Sequence, residues 1–193
     1  MKKVQITPSF WLAAAAVLLL GLGRQYSLLL AAALLHELGH GTVIYLLGNT
    51  VEEVRLIPGG VDIRYRERHF SYGADICIAL AGPAVNLLTA MLLSMSDQAE
   101  LDYFIGLNLL LCFFNLLPLY PLDGGKALYS AMAYFSPLHG ETIFFLISAA
   151  LTLLIFAAAC GACFYDLQAL WSMVVFGYIL RQQKLHLLYK EGI

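Results

Sequence analysis

Residues 34–41 read LLHELGHG inside a run of leucine, alanine and valine. His36 and His40 are four residues apart, so a helix carries them on one face with Cβ atoms about 5–6 Å from each other. Two imidazoles so placed can share one Zn²⁺. Glu37 stands beside the pair without having to bind the metal, where a general base for a metal-acidified water belongs. Ionisable groups in an apolar segment are costly and need a partner or a purpose, and a metal supplies both. A catalytic zinc site takes three protein ligands and keeps one position open. By residue type the third ligand is Glu52, Glu53 or Asp123. The two glutamates lie just past the helix end. Asp123 follows a proline and precedes two glycines in NLLPLYPLDGG, and by this motif alone it reads equally well as a turn or cap residue.

The elements that must hold these groups are apolar ones. Of 193 residues, 61% are hydrophobic and 12% are charged, against roughly 25% charged in a soluble domain. Mean hydropathy is +0.77. Too little charge is available to coat a water-facing surface, which excludes an ordinary soluble globule and points to an integral membrane protein. The net charge of −2 gives no basic field for nucleic acid. Cys77, Cys112, Cys160 and Cys163 do not have the spacing of a secreted disulfide framework. The Cys160–Cys163 pair reads as two small apolar residues near a helix end.

Six apolar segments follow one another: about 8–23, 25–47, 74–95, 101–117, 141–160 and 167–180. The first has two lysines ahead of it, as a signal peptide does, but no small-residue cleavage site after it. It reads as a retained helix. Gly48-Asn49 stops the second segment. Residues 50–73 change period: Val61, Ile63 and Tyr65 alternate with Asp62, Arg64 and Arg66, which predicts a β-hairpin. PLYPLDGG is too rich in proline and glycine for a continuous helix, and 126–135 reads as a short one. The expected fold is an all-α polytopic membrane protein of about six transmembrane helices, with a small β-hairpin between helices two and three, forming a single domain over residues 1–193.

Six spans put both termini on one side. With the N-terminus in the cytosol, Lys2, Lys3, Arg55, Arg64, Arg66, Arg68, Lys126, Arg181, Lys184 and Lys190 are cytosolic and only Arg24 is outside. The positive-inside rule favours that orientation, which also puts the hairpin and the LDGG turn on the cytosolic side. Trp11, Tyr103 and Trp171 fit an interfacial aromatic belt. His69, His139 and His186 read as surface or interfacial residues, and Asp166 as a helix N-cap.

HELGH in the second segment, AGPAVN (81–86) in the third and NLLPLYPLDGG (115–125) after the fourth resemble, in order and over nearly the whole chain, the motifs of the site-2 protease family of intramembrane metalloproteases. Within that family the likeness is greatest to the sporulation stage IV FB group. The resemblance implies that His36, His40 and Asp123 are the zinc ligands and Glu37 the catalytic glutamate. It also implies that Asn115 helps hold substrate or the oxyanion, and that Gly82, Pro83 and Asn86 support the core. The hairpin would be where a substrate pairs as an added strand. Members of the stage IV FB group carry a nucleotide-sensing CBS domain after the membrane region. Here only a short tail follows, so the expectation is an enzyme regulated without that domain.

The activity so implied is zinc-dependent hydrolysis of a peptide bond in or near a transmembrane segment of a membrane-bound substrate, such as a sigma-factor precursor or another regulatory protein. The setting would be a bacterial cytoplasmic membrane, with the active site opening to the cytosol and a regulatory membrane partner or a second copy as further partners. Two other classes use the same histidines: a non-proteolytic zinc-binding membrane protein, and a metal transporter. Glu37 argues against the first. The scarcity of ionisable residues along segments three and five argues against the second.

Overall fold

Leucine and alanine are strong helix formers, and the apolar runs become helices wherever no proline or glycine interrupts them. The computed structural model describes residues 3–21, 23–57, 60–66, 71–96, 98–162, 175–181 and 183. The chain packs as two compact units, residues 1–115 and 116–193.

The first unit begins with strand β1 (Lys3–Ile6) and helix α1 (Pro8–Leu19), and then runs into the long helix α2 (Gly23–Leu46). Gly48 ends α2 in the left-handed region, with φ 74°, and its N–H bonds the Tyr45 carbonyl at 3.0 Å. This is the usual use of a glycine at a helix C-terminus. Strands β2 (Thr50–Ile57) and β3 (Gly60–Arg66) form the expected hairpin, which helices α3 (Tyr72–Ser94) and α4 (Asp102–Asn115) follow. A short 3₁₀ turn, Ala99–Leu101, leads into α4.

The sheet has one strand more than the sequence reading expected. β1 pairs parallel with β2, Lys3 opposite Glu53 and Ile6 opposite Leu56, so the order is β1-β2-β3. Four residues ahead of a helix are too few to show a period of two. On β3, half-buried Ile63 and Tyr65 alternate with exposed Arg64 and Arg66. Glu52 and Glu53 serve the sheet: Glu52 pairs with Arg66 at 2.6 Å and Glu53 with Arg55 at 2.8 Å. Neither belongs to a group able to hold a metal among the described residues.

The second unit holds α5 (Asp123–Phe135) and α6 (Gly140–Ala162), with further helical backbone at 175–181. Gly124 and Gly125 let the start of α5 lie directly on the loop before it. A Cβ on Gly125 would meet the Tyr120 amide nitrogen at 2.7 Å, and one on Gly124 would meet Leu116 Cα at 2.8 Å. The expected sixth segment and the tail fall largely outside the described residues, as do Asp166, Trp171, Cys163, His69 and His186. His139 is exposed in the turn between α5 and α6.

Among the described residues, three helices are long and apolar enough to cross a bilayer: Gly23–Leu46, Tyr72–Ser94 and Gly140–Ala158. Their surfaces are inverted relative to a soluble protein. Leu38, Leu88, Leu92, Leu146 and Leu154 are exposed, while His36, Asn86, Ser148 and Thr152 are buried. Apolar surface outside and satisfied polar groups inside is what lipid demands. Trp11 and Tyr103 are exposed as well.

Candidate metal centre

Within lipid the association of helices depends on close backbone approach rather than on burying apolar surface. α2 and α3 meet through small residues. A Cβ on Gly39 would sit 2.6 Å from the Ala81 carbonyl oxygen and 2.9 Å from Val85 Cγ2. That approach brings the HELGH face of α2 against the AGPAVN stretch of α3.

There the two imidazoles converge. His36 Nε2 and His40 Nε2 are 3.1 Å apart, and both side chains are buried. Their outer nitrogens are each tied to α3. His36 Nδ1 lies 2.6 Å from Asn86 Oδ1, and His40 Nδ1 lies 2.6 Å from the Ile78 carbonyl. A carbonyl only accepts, so His40 carries its proton on Nδ1. The Asn86 amide is oriented by the same logic. Its Nδ2 donates to the Ala32 carbonyl at 3.2 Å and to Asn108 Oδ1 at 2.8 Å, so its Oδ1 faces His36 and His36 also carries its proton on Nδ1.

Both Nε2 atoms are then acceptors, pointed at one place. Two lone pairs this close repel unless a proton or a metal ion lies between them or beside them. Tetrahedral zinc with nitrogen ligands at about 2.0–2.1 Å sets its nitrogens ~3.3 Å apart, and the observed separation matches. The space in front of them is open because Gly82 has no side chain. A Cβ there would contact His40 Nε2 and stand 2.7 Å from His36 Nε2. Pro83, the next residue, interrupts the hydrogen-bond ladder inside α3. The AGP of the middle motif is therefore the wall of the metal cradle. The residues present fit the ion.

Asn108 was not singled out by the sequence reading. It is fully buried in α4 and completes the chain from His36 through Asn86, its own Nδ2 bonding the Phe104 carbonyl at 2.9 Å. A lone amide in the apolar run DYFIGLNLLL was its signal. Partners of this kind behind a metal ligand are typically worth ~10–100-fold in metal affinity. Asn86→Leu is accordingly expected to weaken zinc binding by about that factor. Titration against a zinc chelator checks it, and an unchanged affinity would remove Asn86 from the site.

Glu37 is half-buried on α2, next to His36. Asn115 is the last residue of α4, and its Nδ2 donates to the Leu111 carbonyl at 3.0 Å. In the second unit Asp123 opens α5 and is buried. The positive end of the helix dipole favours a carboxylate there. Half-exposed Lys126 lies 3.3 Å from Asp123 Oδ1, one turn on. By residue type His36 and His40 offer a metal ion two imidazole nitrogens, and Asp123 a carboxylate oxygen. Two imidazoles and a carboxylate are a common catalytic zinc set.

Comparison with known proteins points the same way. Stage IV sporulation protein FB of Bacillus subtilis is 32% identical over 134 residues, 66% of this chain and 46% of that protein. A zinc metalloprotease of Methanocaldococcus jannaschii is 34% identical over 113 residues, 53% of this chain and 32% of that protein. The chain therefore spans less than half the length of these curated relatives. No family model matches. The solved site-2 protease of Methanocaldococcus jannaschii superposes with a TM-score of 0.66 at 22% identity, covering 95% of this chain and 91% of that one, which is a likeness of fold. Sequence relatives and fold agree, and the chain is similar to membrane zinc metalloproteases and has the fold of a site-2 protease.

Proposed function

We propose that this chain is a zinc-dependent intramembrane endopeptidase, cleaving a peptide bond in or near a transmembrane segment of a membrane-bound substrate. The observation that carries the reading is the pair of Nε2 acceptors 3.1 Å apart, held by α3 and facing the notch at Gly82, with Glu37 adjacent. A structural zinc site has no use for that glutamate, and a transporter has no use for a site so closely pinned.

In this reading His36, His40 and Asp123 hold the ion. When bound, zinc acidifies a water and polarises the scissile carbonyl. Glu37 takes the proton of the attacking water and hands it to the departing amine. Asn115 retains a second amide N–H, which donates to the carbonyl oxygen as negative charge develops there. The substrate helix must unwind first, because its peptide bonds are shielded and already hydrogen-bonded. Pairing along a sheet edge offsets part of that cost, and β3, an edge of the three-stranded sheet, is the strand we assign to it.

We further propose that residues 1–193 work as one catalytic domain. α1, α4 and segment 167–180 would complete six membrane passes. The likeness to a bacterial sporulation protein suggests a bacterial cytoplasmic membrane, and the basic residues favour an orientation with the termini and the site opening to the cytosol. A sigma-factor precursor or another regulatory membrane protein suits the reaction as substrate, and a gating membrane partner or a second copy as regulator.

Zinc per chain in the purified protein, wild type against Asp123→Ala, tests the ligand set. Wild type is expected to hold about one ion and the variant to lose most of it. Full zinc in the variant would remove Asp123 from the ligands and return the third position to open question.

A further inference from the structure

Asp123 can act as a ligand only if the irregular chain before it is held still. Residues 116–122 are not helical, and backbone polar groups at membrane depth must find partners within the protein. At Tyr120 those partners are side chains. Its N–H donates to Ser148 Oγ at 3.0 Å, and its carbonyl accepts from Gln183 Nε2 at 3.0 Å. Gln183 Nε2 also reaches Ser148 Oγ at 3.0 Å and Thr152 Oγ1 at 2.9 Å. Ser148 and Thr152 are four residues apart on α6, one turn on the same face. Both are fully buried, and Gln183 is 3% exposed. The Tyr120 ring packs edge-on against Phe145 of α6, with centroids 5.6 Å apart.

The amide orientation is fixed by the Tyr120 carbonyl, which can only accept. That leaves Gln183 Oε1 buried without a hydrogen-bond partner among the described residues. A buried amide half-satisfied in this way is a poor stability device, because leaving the acceptor unpaired is expensive. An apolar side chain of the same length would fill the space at no such cost. What the glutamine adds is a donor for the backbone carbonyl three residues before Asp123.

We propose that Gln183 is a positioning residue: with Ser148 it clamps Tyr120 and so holds the LDGG turn in the geometry that presents Asp123 to zinc. This rests on the reading of Asp123 as a ligand. Gln183→Met keeps the length and removes the donor. In the purified full chain it is expected to lower zinc affinity ~10-fold or more, measured by competition with a chelator. In the metal-free protein it is expected to speed hydrogen exchange at residues 117–122. Thr152→Val leaves both bonds to Tyr120 in place and is expected to stay within about threefold of wild type in zinc affinity, a separation that a general loss of packing would not produce. If Gln183→Met does not fold, Ser148→Ala carries the same test, since it removes the partner of the Tyr120 N–H.

Zinc affinity at the wild-type level in Gln183→Met and Ser148→Ala, with Asp123→Ala impaired, would overturn the clamp and leave the ligand assignment standing. Wild-type affinity in all three would overturn both. Equal losses in Gln183→Met and Thr152→Val would reduce Gln183 to a packing residue.

Discussion

Glu37→Gln is expected to keep its zinc and to lose proteolysis by ~10²–10⁴-fold, the usual contribution of a positioned general base. The side chain changes by one atom, so packing on α2 is preserved. The amide cannot accept the proton of an attacking water. His36 and His40 keep their outer-nitrogen bonds to Asn86 and Ile78, neither of which involves Glu37, so the metal cradle should not move. The measurement is paired: zinc per chain, and cleavage of a membrane-anchored test substrate in lipid nanodiscs. Loss of zinc together with activity would make Glu37 a ligand or a structural partner. Activity near the wild-type rate would move the general base elsewhere and sink the proposed mechanism.

Gly82→Ala is the second large effect expected, and it tests the metal rather than the proton. One added methyl group enters the notch in front of both Nε2 atoms, 2.7 Å from His36 Nε2 and from His40 Cε1. Contacts so short force something to shift, and the neighbours have little room. The histidines are tied at Nδ1, and α3 cannot withdraw easily because α2 and α3 are already in backbone contact at Gly39 and Ala81. Overpacking of this kind costs about 1–3 kcal/mol, and here the strain falls on the ligands. Zinc affinity is expected to drop ~100-fold or more, beyond the range for an outer partner alone. Gly106→Ala is the control, since a Cβ there meets nothing within 4 Å. Equal zinc binding in Gly82→Ala and Gly106→Ala would mean the ion sits away from the notch.

The two effects separate the parts of the site. Glu37→Gln removes chemistry and leaves the ion, whereas Gly82→Ala removes the ion and leaves Glu37 chemically intact. A protein that only stores or transports zinc would respond to the second and ignore the first.

Much of this was legible in the sequence because it depends on local physics. A chain with 12% charged residues cannot cover itself in water, so the membrane class follows from composition. The i,i+4 spacing of His36 and His40 puts both on one helical face whatever surrounds them, and Glu37 comes with them. Glycine and proline in PLYPLDGG mark where helix must stop. The period of two in 61–66 marks a strand.

The rest depends on partners distant in the chain, which no local pattern encodes. β1 is too short to announce itself and exists because β2, some fifty residues later, offers an edge. Which nitrogen of each histidine faces the ion is decided by Asn86 and the Ile78 carbonyl on another helix. The AGP stretch looks like a helix interruption, and only packing against α2 turns the missing Cβ of Gly82 into space for a metal. Asn108 and Gln183 are single amides in apolar or tail-like surroundings. Each acquires its role from one hydrogen bond across the fold: Asn108 from Asn86, and Gln183 from the backbone of Tyr120. Composition and local pattern suffice for the environment, the main helices and the reactive side chains. Which ring nitrogen carries the proton and how much room is left for an ion come from packing, because both depend on donors, acceptors and contacts set between helices.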